Sequence, residues 1–178
     1  EITLIPERLK LTLGTRLDHN DFTGLEVQPN GRLMWTPNEK NSIWLAISRA
    51  VRTPSRAEND VLFNYGTQGK PPFLTVLQLN GSPHFNSEKL LAYEAGYRYQ
   101  LAPQASIDIA AFYNDYSQLR DLTFDPRLGS FHAGIPSYFL LPIGLNNKAS
   151  GQTQGVEVSV DWQPHEKWRL QGNYSFLT

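Results

Sequence analysis

The sequence predicts an all-β fold of antiparallel, up-and-down strands, and three observations support this prediction. Polar and apolar residues alternate over eight or more positions in several stretches of the 178-residue chain, which is the period of a strand with two unlike faces. Short turn-forming segments alternate along the chain with long connections. No window shows the sustained three-four apolar spacing of an amphipathic helix, so we expect helices to be few and short.

The alternation is regular over most of the predicted strands. Between residues 9 and 18, Leu9, Leu11, Leu13 and Leu17 share one face and charged or polar residues share the other. The same pattern occurs in residues 91–101, 107–113, 156–162 and 168–176. In the strand predicted over residues 42–52, Ile43, Leu45 and Ile47 have one parity and Trp44 has the other. The pattern therefore leaves open which side of this strand continues the apolar faces of its neighbours.

The predicted connections fall into two classes. The short ones, at residues 37–41, 102–104 and 164–167, have the Pro, Asn and charged residues of tight hairpin turns. Two long ones run over residues 53–89 and 117–150, and long loops in compact proteins are usually functional or disordered. A smaller loop at residues 19–25 belongs with the long class by its position. If the strands run up and down, all short turns lie at one end and all long loops at the other.

Composition excludes several classes of protein. No stretch approaches the roughly 20 apolar residues of a membrane-spanning helix. The net charge of −1 gives no electrostatic reason to predict a nucleic-acid partner. The absence of cysteine excludes disulfides, thiolate catalysis and cysteine metal sites.

The aromatic residues favour a membrane protein. All four tryptophans, Trp35, Trp44, Trp162 and Trp168, lie beside the predicted short turns. The opposite strand ends carry Tyr93, Tyr113, Tyr174 and Phe176. Eight residues of tilted strand cover roughly 20 Å, close to the apolar band of a membrane barrel, which aromatic girdles border. The sequence thus predicts a transmembrane β-barrel, of which this chain supplies a part with about seven or eight strands and two long loops. A soluble β-sandwich with the same alternation is the alternative.

If the apolar faces point outward, many charged residues point inward. These are Lys10, Arg16, Glu94, Arg98, Asp108, Glu157, Asp161 and Arg169. A dry interior could not hold so many charges unless each were paired, so we expect a hydrated lumen or a polar plug inside a wide barrel.

Three blocks of sequence resemble one family. They are Arg52-Thr53-Pro54-Ser55-Arg56-Ala57-Glu58 after a strand, then residues 88–98 followed by 109–116, then Asn146-Asn147 followed by 155–160. In this order, over about residues 9–176, they resemble the barrel of TonB-dependent outer-membrane receptors of the siderophore type. The resemblance implies a barrel of 22 strands, an N-terminal plug domain and import of a scarce nutrient such as a ferric siderophore, cobalamin or haem, energised by TonB.

The resemblance also implies location and partners. We expect residues 1–178 to be an internal fragment of the barrel domain, without the plug domain, the TonB box or the aromatic-ended C-terminal strand. The bacterial outer membrane is the expected location. Expected partners are outer-membrane lipid, a ferric siderophore or similar chelate, and TonB, which would act through the missing plug. No cofactor is expected.

The predicted ligand-binding residues lie in the two long loops, where aromatic side chains mix with cations. They are Arg56, Tyr65 and Phe85 in the first loop, and Arg127, Phe131 and Tyr138 in the second. Phe63, Phe73, Arg120, Phe124, His132 and Phe139 extend the same surface. Such a surface could hold an anionic, partly aromatic chelate by stacking and charge. Packing of the loops onto themselves is the other interpretation, and Arg52 and Glu58 could simply pin the start of the first loop.

No catalytic or metal site is predicted. His19, His84, His132 and His165 have no second histidine at ligand spacing, and no phosphate loop, zinc-protease motif or serine elbow is present. We therefore expect no enzyme activity, although a barrel lipase built on a serine and a histidine stays open. A soluble ligand-recognition module with a β-sandwich fold is the alternative function.

Overall fold

A computed structural model describes residues 1–71 and 74–178 of this chain. Short helices are α1 (Arg56–Asp60) and one 3-10 turn (Pro126–Leu128). The strands are β1 (Ile2–Ile5), β2 (Leu9–Asn20), β3 (Gly24–Asn38), β4 (Asn41–Arg52), β5 (Leu62–Gln68), β6 (Leu74–Asn80), β7 (Glu88–Ala102), β8 (Ala105–Phe124), β9 (Ser130–His132), β10 (Tyr138–His165) and β11 (Trp168–Leu177).

The described strands form one open sheet in up-and-down order. β1, β2, β3, β4, β7, β8, β10 and β11 are neighbours in that sequence, each antiparallel to the next. These eight strands form one continuous wall, which confirms the predicted all-β, partial-barrel fold. The loop strands complete the sheet. β6 and β9 each pair with β10, and β5 pairs with β6.

The connections separate to the two ends of the wall, as predicted. Tight turns at residues 6–8, 39–40, 103–104 and 166–167 lie at one end, which we call the turn end. The Asn38 side chain closes one of them, because its Oδ1 accepts from Lys40 N at 3.0 Å and from Asn41 Nδ2 at 2.7 Å. The long connections and the turn at residues 21–23 lie at the other end, which we call the loop end.

Strand register places the alternating residues in continuous rows. Residues directly opposite each other on neighbouring strands share a face. One row runs across seven strands, through Leu11, Leu33, Leu45, Ala95, Ala111, Val156 and Phe176. This apolar face therefore includes Leu45, with Ile43 and Ile47 of the same strand, which the sequence pattern could not assign.

The residues that alternate with the apolar row along each strand form the polar face of the wall. Arg98 lies opposite Asp108, and its Nε is 2.8 Å from Asp108 Oδ1. Asp161 Oδ2 accepts from Arg169 Nε at 3.0 Å and from Gln171 Nε2 at 2.9 Å. The inward-pointing charges are thus partly paired with one another across neighbouring strands.

Trp44 departs from the predicted aromatic girdle. It lies opposite Met34 and Gly96, on the polar face, whereas Trp35 lies opposite Ile43 on the apolar face. The Arg32 guanidinium stacks on the Trp44 indole, 4.5 Å from its centroid. A Cβ on Gly96 would overlap that indole. The prediction is wrong for this residue because Gly96 provides room for a large ring on the polar face.

The second long loop is also different from the prediction. Much of residues 117–150 is strand, because β8 continues to Phe124 and β10 begins at Tyr138. The run from Tyr138 to Ile143 is almost continuously apolar, so it lacks the alternation by which the other strands are predicted. It is strand because it has neighbours on both edges, β6 on one and β8 with β9 on the other.

Little of the chain is packed into a core. Among the described residues only Val76, Phe85, Ala92 and Ile143 are buried and hydrophobic. Side chains on the apolar face are instead open, with Leu13 at 61% and Tyr174 at 67% exposure. A β-sandwich would bury these residues between two sheets, so the single open sheet of the described residues contradicts that alternative.

Candidate ligand-binding site

The two long connections meet in one surface at the loop end. Between β4 and β7 the chain forms α1 and then the β5–β6 hairpin. β6 runs parallel to the first part of β10, in register from Leu74 opposite Tyr138 to Asn80 opposite Gly144. The hairpin of the first connection is therefore part of the same sheet as the strand that ends the second.

A cluster of four charged side chains lies at the base of this surface. We call Arg52, Glu58, Glu88 and Arg120 the Glu58 cluster. Glu58 is 3% exposed. Its Oε1 accepts from Arg52 Nη2 at 2.6 Å and its Oε2 from Arg52 Nη1 at 3.1 Å, which is the strong two-point geometry of guanidinium and carboxylate. Arg120 Nη1 lies 3.5 Å from Glu58 Oε1.

Glu88 completes the cluster. Its Oε2 accepts from Arg52 Nε at 2.7 Å, and its Oε1 accepts from the backbone N of Arg120 at 2.8 Å. Arg52 thus donates to two carboxylates, and the cluster connects the end of β4, α1, the start of β7 and the outer part of β8. Two positive and two negative charges balance within it.

The contacts hold both carboxylates in the ionised form. Hydrogen bonds from Arg52, opposed by burial and aided by the backbone and hydroxyl of Ser55, lower the pKa of Glu58 to about 2. Hydrogen bonds from Arg52 likewise lower the pKa of Glu88. Because the folded pKa of Glu58 lies below its ordinary value of 4.5, its stabilising effect is complete above about pH 4.5 and is lost as the pH falls toward 2.

Glu58 also begins the helix. Ser55 is the N-cap of α1: its Oγ accepts from Glu58 N at 3.3 Å, and Glu58 Oε2 accepts from Ser55 N at 2.8 Å. This is a capping box, which satisfies donors that a helix start leaves free. The spacing Ser55-x-x-Glu58 thus explains why a five-residue helix begins at Arg56, two residues after Pro54.

A second bridge joins the two connections beside the cluster. Asn147 Oδ1 accepts from Asn86 N at 2.7 Å, and Asn147 Nδ2 donates to Asn86 O at 3.0 Å and to Gln118 O at 2.9 Å. One amide side chain thus ties the end of the first connection to β8 and β10.

The structure separates the predicted residues of the first loop. Arg56 is the first residue of α1, and its side chain is 91% exposed with Nε 3.8 Å from Asp60 Oδ2. Tyr65 in β5 is half exposed. It lines a largely apolar hollow of about 500 Å³ with Leu79, Ile143 and Leu145, and with Arg120 as its cation. Phe85 is 3% exposed, so its ring is a packing element with no face open to a ligand in this chain.

In the second loop, the structure brings the predicted residues His132 and Tyr138 together. Phe131 and His132 of β9 lie opposite Phe139 and Tyr138 of β10. The rings of His132 and Tyr138 stack, with centroids 4.9 Å apart and planes 5° from parallel, while Phe131 is 67% exposed. Arg127, in the 3-10 turn, is exposed and its Nη2 lies 2.9 Å from Asp125 Oδ2. Phe73, which the sequence predicts on this surface, lies outside the described residues.

Sequence reasoning offered Arg52 and Glu58 as residues that pin the start of the first loop, and the structure pairs them, but it missed Glu88 and Asn147. Glu88 and Asn147 act through partners about 30 or more positions away along the chain, and no local pattern marks them. The capping spacing at Ser55 and Glu58 could have located α1.

The described residues hold neither a metal site nor a helical membrane span. No group of three or more His, Asp or Glu side chains among them could hold a metal ion. No described helix has the length and apolar character needed to cross a membrane.

Comparison with protein families identifies the class. The sequence matches the family described as TonB dependent receptor-like, beta-barrel over residues 1–178. The chain belongs to this family. The predicted resemblance is therefore confirmed over the whole chain. Among curated proteins, none matches significantly.

Solved structures of siderophore receptors share the fold. A mutant of the ferric enterobactin receptor PfeA from Pseudomonas aeruginosa, in complex with enterobactin, matches with a TM-score of 0.82 and 20% identity over 98% of this chain and 25% of that one. The siderophore receptor PirA from Acinetobacter baumannii matches with a TM-score of 0.77 and 16% identity over 98% of this chain and 26% of that one. This TonB-dependent receptor chain thus spans about a quarter of the length of these receptors.

Proposed function

We propose that this chain is part of an outer-membrane receptor that binds and imports a scarce nutrient such as a ferric siderophore, with energy supplied by TonB. The observation that carries the proposal is the continuous apolar face of the wall, exposed across seven strands in a member of this receptor family. The family and the matching structures are receptors, so we propose a binding and transport role without catalysis.

Lipid is the proposed partner of the apolar face. Large exposed apolar surfaces mark contact with a membrane or another protein. Along most of the wall strands of this chain the apolar residues alternate with polar ones, which is the pattern of a barrel with lipid outside and water inside. Location in the bacterial outer membrane follows as part of the proposal.

The ligand surface is proposed at the loop end. Arg56 and Arg127 offer cations there, Tyr65 and Phe131 offer exposed rings, and Tyr138 is half-buried with His132 stacked on it. Phe85 is left out because it is buried. A ferric chelate with negative charge and aromatic groups would be held by stacking and by guanidinium contacts. One matching receptor was crystallised with enterobactin, which supports a chelate of this kind. Contact with TonB is proposed to pass through a plug domain of the parent receptor.

Uptake in cells tests the proposal. A strain without the parent gene should lose uptake of one ferric chelate from a panel labelled with radioactive iron, while its general permeability is unchanged. The intact receptor should restore uptake only when TonB is present. A receptor carrying Arg127→Ala and Phe131→Ala should restore it poorly, whereas the control Glu39→Gln, at the turn end, should restore it fully. Unaltered uptake of every chelate in the deletion strain would refute the proposed function.

A further inference from the structure

We infer that Glu58 is a positioning residue that makes the two long connections of the loop end a single ligand-binding unit. This inference rests on the proposed function where it concerns ligand affinity, and on geometry alone where it concerns the loops. Its basis is one buried carboxylate that contacts Arg52 of β4 and Arg120 of β8 directly, and is linked to Glu88 of β7 through Arg52.

The carboxylate links the first connection to both strands that border it. The guanidinium of Arg52 holds Glu58 at two points through Nη1 and Nη2 and donates to Glu88 through Nε. The connection thus leaves β4 and returns to β7 beside the same arginine. Since both carboxylates share that cation, removal of the Glu58 charge leaves Arg52 with one partner and releases α1 from the wall.

The same carboxylate reaches the second connection. Arg120 lies on the outer part of β8, which leads into that connection, and its guanidinium is 3.5 Å from Glu58 Oε1. The Arg120 backbone N–H is in turn fixed by Glu88. The position of α1 is therefore tied to the stem of the loop that carries Arg127, Phe131 and Tyr138.

Helix α1 transmits the position of Glu58 to the β5–β6 hairpin. Ser82 N donates to Glu58 O at 2.9 Å and Gly81 N donates to Val61 O at 2.7 Å, so the end of β6 is bonded to the helix. A Cβ on Gly81 would lie 2.7 Å from Asn59 O, which shows how closely the two segments approach. The hairpin that carries Tyr65 is then held at its base by α1 and along its length by β10.

A unit of this kind raises affinity by holding the ligand-binding groups in place before the ligand arrives. If a variant keeps the competent arrangement in only about a tenth of its molecules, the apparent Kd rises about tenfold. The maximal rate of uptake at saturating ligand should change little, because the occupied receptor is the same.

The experiment uses the intact receptor with spin labels at Gln68→Cys in the hairpin and Leu128→Cys in the second connection, both exposed sites of a chain that has no cysteine of its own. Pulsed electron resonance measures the distance distribution between the two labels in the receptor without ligand. Unlabelled receptor is used to measure binding and uptake of ferric enterobactin and of a panel of other chelates. The variants are Glu58→Gln, Glu58→Asp and Arg120→Gln. The control is Asp60→Asn, which removes a carboxylate from the same helix outside the cluster.

Glu58→Gln should broaden the distance distribution and raise both Kd and the KM of uptake about tenfold or more, with the maximal rate within about twofold of wild type. Glu58→Asp keeps the charge and should therefore show a smaller broadening and a smaller rise in Kd and KM than Glu58→Gln. Arg120→Gln should also broaden the distribution less than Glu58→Gln. Asp60→Asn should match wild type. If Glu58→Gln does not assemble, Arg120→Gln decides the question by the same two measurements.

A distribution as narrow as wild type, or a broad one with unchanged affinity, would overturn the inference. Should the wild-type receptor bind none of the chelates, the proposed function fails, and the distance measurement still decides whether Glu58 holds the two connections together.

Discussion

The wall and the loop end are built from the same chain by different means. In the wall, neighbouring strands pair residue by residue over long stretches. β2 and β3, for example, pair without interruption from Leu9 opposite Trp35 to Asn20 opposite Gly24. At the loop end, segments that are distant in the chain meet at the side chains of Glu58 and Asn147. Local alternation is enough to specify the strands of the wall, whereas the arrangement of the loop end depends on a few long-range polar contacts.

The largest expected effect comes from a charge on the apolar face. Ala111 lies between Ala95 and Val156 in the apolar row. An arginine near the middle of a barrel wall costs about 2–4 kcal/mol when it faces lipid. We expect Ala111→Arg in the intact receptor to reduce the fraction that assembles in the outer membrane and to lower its midpoint of unfolding in urea, both measured on purified membranes.

The adjacent alanine gives a matched control. Ala110 lies opposite Gly96 and Glu157, on the polar face, so the same substitution there would place the guanidinium in the hydrated interior with a carboxylate nearby. Ala110→Arg should assemble better than Ala111→Arg. Equal loss in both variants would contradict the assignment of faces and with it the proposed contact with lipid.

The contrast between the regions also explains what sequence alone could predict. Strand alternation at Leu9–Leu17 and at Val156–Val160 predicted the strands and their faces, because a period of two is a local property. The opposite parity of Trp44 hid the face of β4, since the space for that ring comes from Gly96 on another strand. Sequence predicted cations and aromatics in the loops, but Phe85 proved buried, because burial depends on which segments come together.

A smaller effect is expected where the wall departs from simple alternation. A methyl group on Gly96 would overlap the indole of Trp44, on which Arg32 stacks. Overpacking of this kind costs about 1–3 kcal/mol, so Gly96→Ala should lower the urea midpoint of the intact receptor. Gly172→Ala is the control, because a Cβ there meets nothing within 4 Å.

A double variant identifies the cause. If the indole is what the methyl group meets, Gly96→Ala should cost much less when Trp44 is also alanine, and the two single effects should not add. Additive losses would instead locate the cost in the backbone of β7, and the space at Gly96 would then no longer explain a tryptophan on the polar face.

The charge pairs of the two regions differ in the same way. Glu58 is buried and holds two guanidinium contacts, so loss of its charge leaves Arg52 with Glu88 alone and removes the carboxylate that Arg120 contacts. Arg98 and Asp108 on the wall are 59% and 41% exposed. Water therefore competes for both partners, and the contact is close to an ordinary surface ion pair.

The smallest expected effect is the loss of that wall pair. Exposed pairs contribute roughly 0.2–1 kcal/mol, so Asp108→Asn in the intact receptor should lower the urea midpoint only slightly, and less still in about 1 M salt, where charges are screened over a few ångströms. Glu157→Gln is the control, because Glu157 lies on the same face and has no ion pair among the described residues. The free energy of unfolding could instead fall by more than about 1 kcal/mol in Asp108→Asn and fall equally in high salt. This part of the polar face would then be dry in the intact receptor, and the wall, like the loop end, would depend on a buried charge contact.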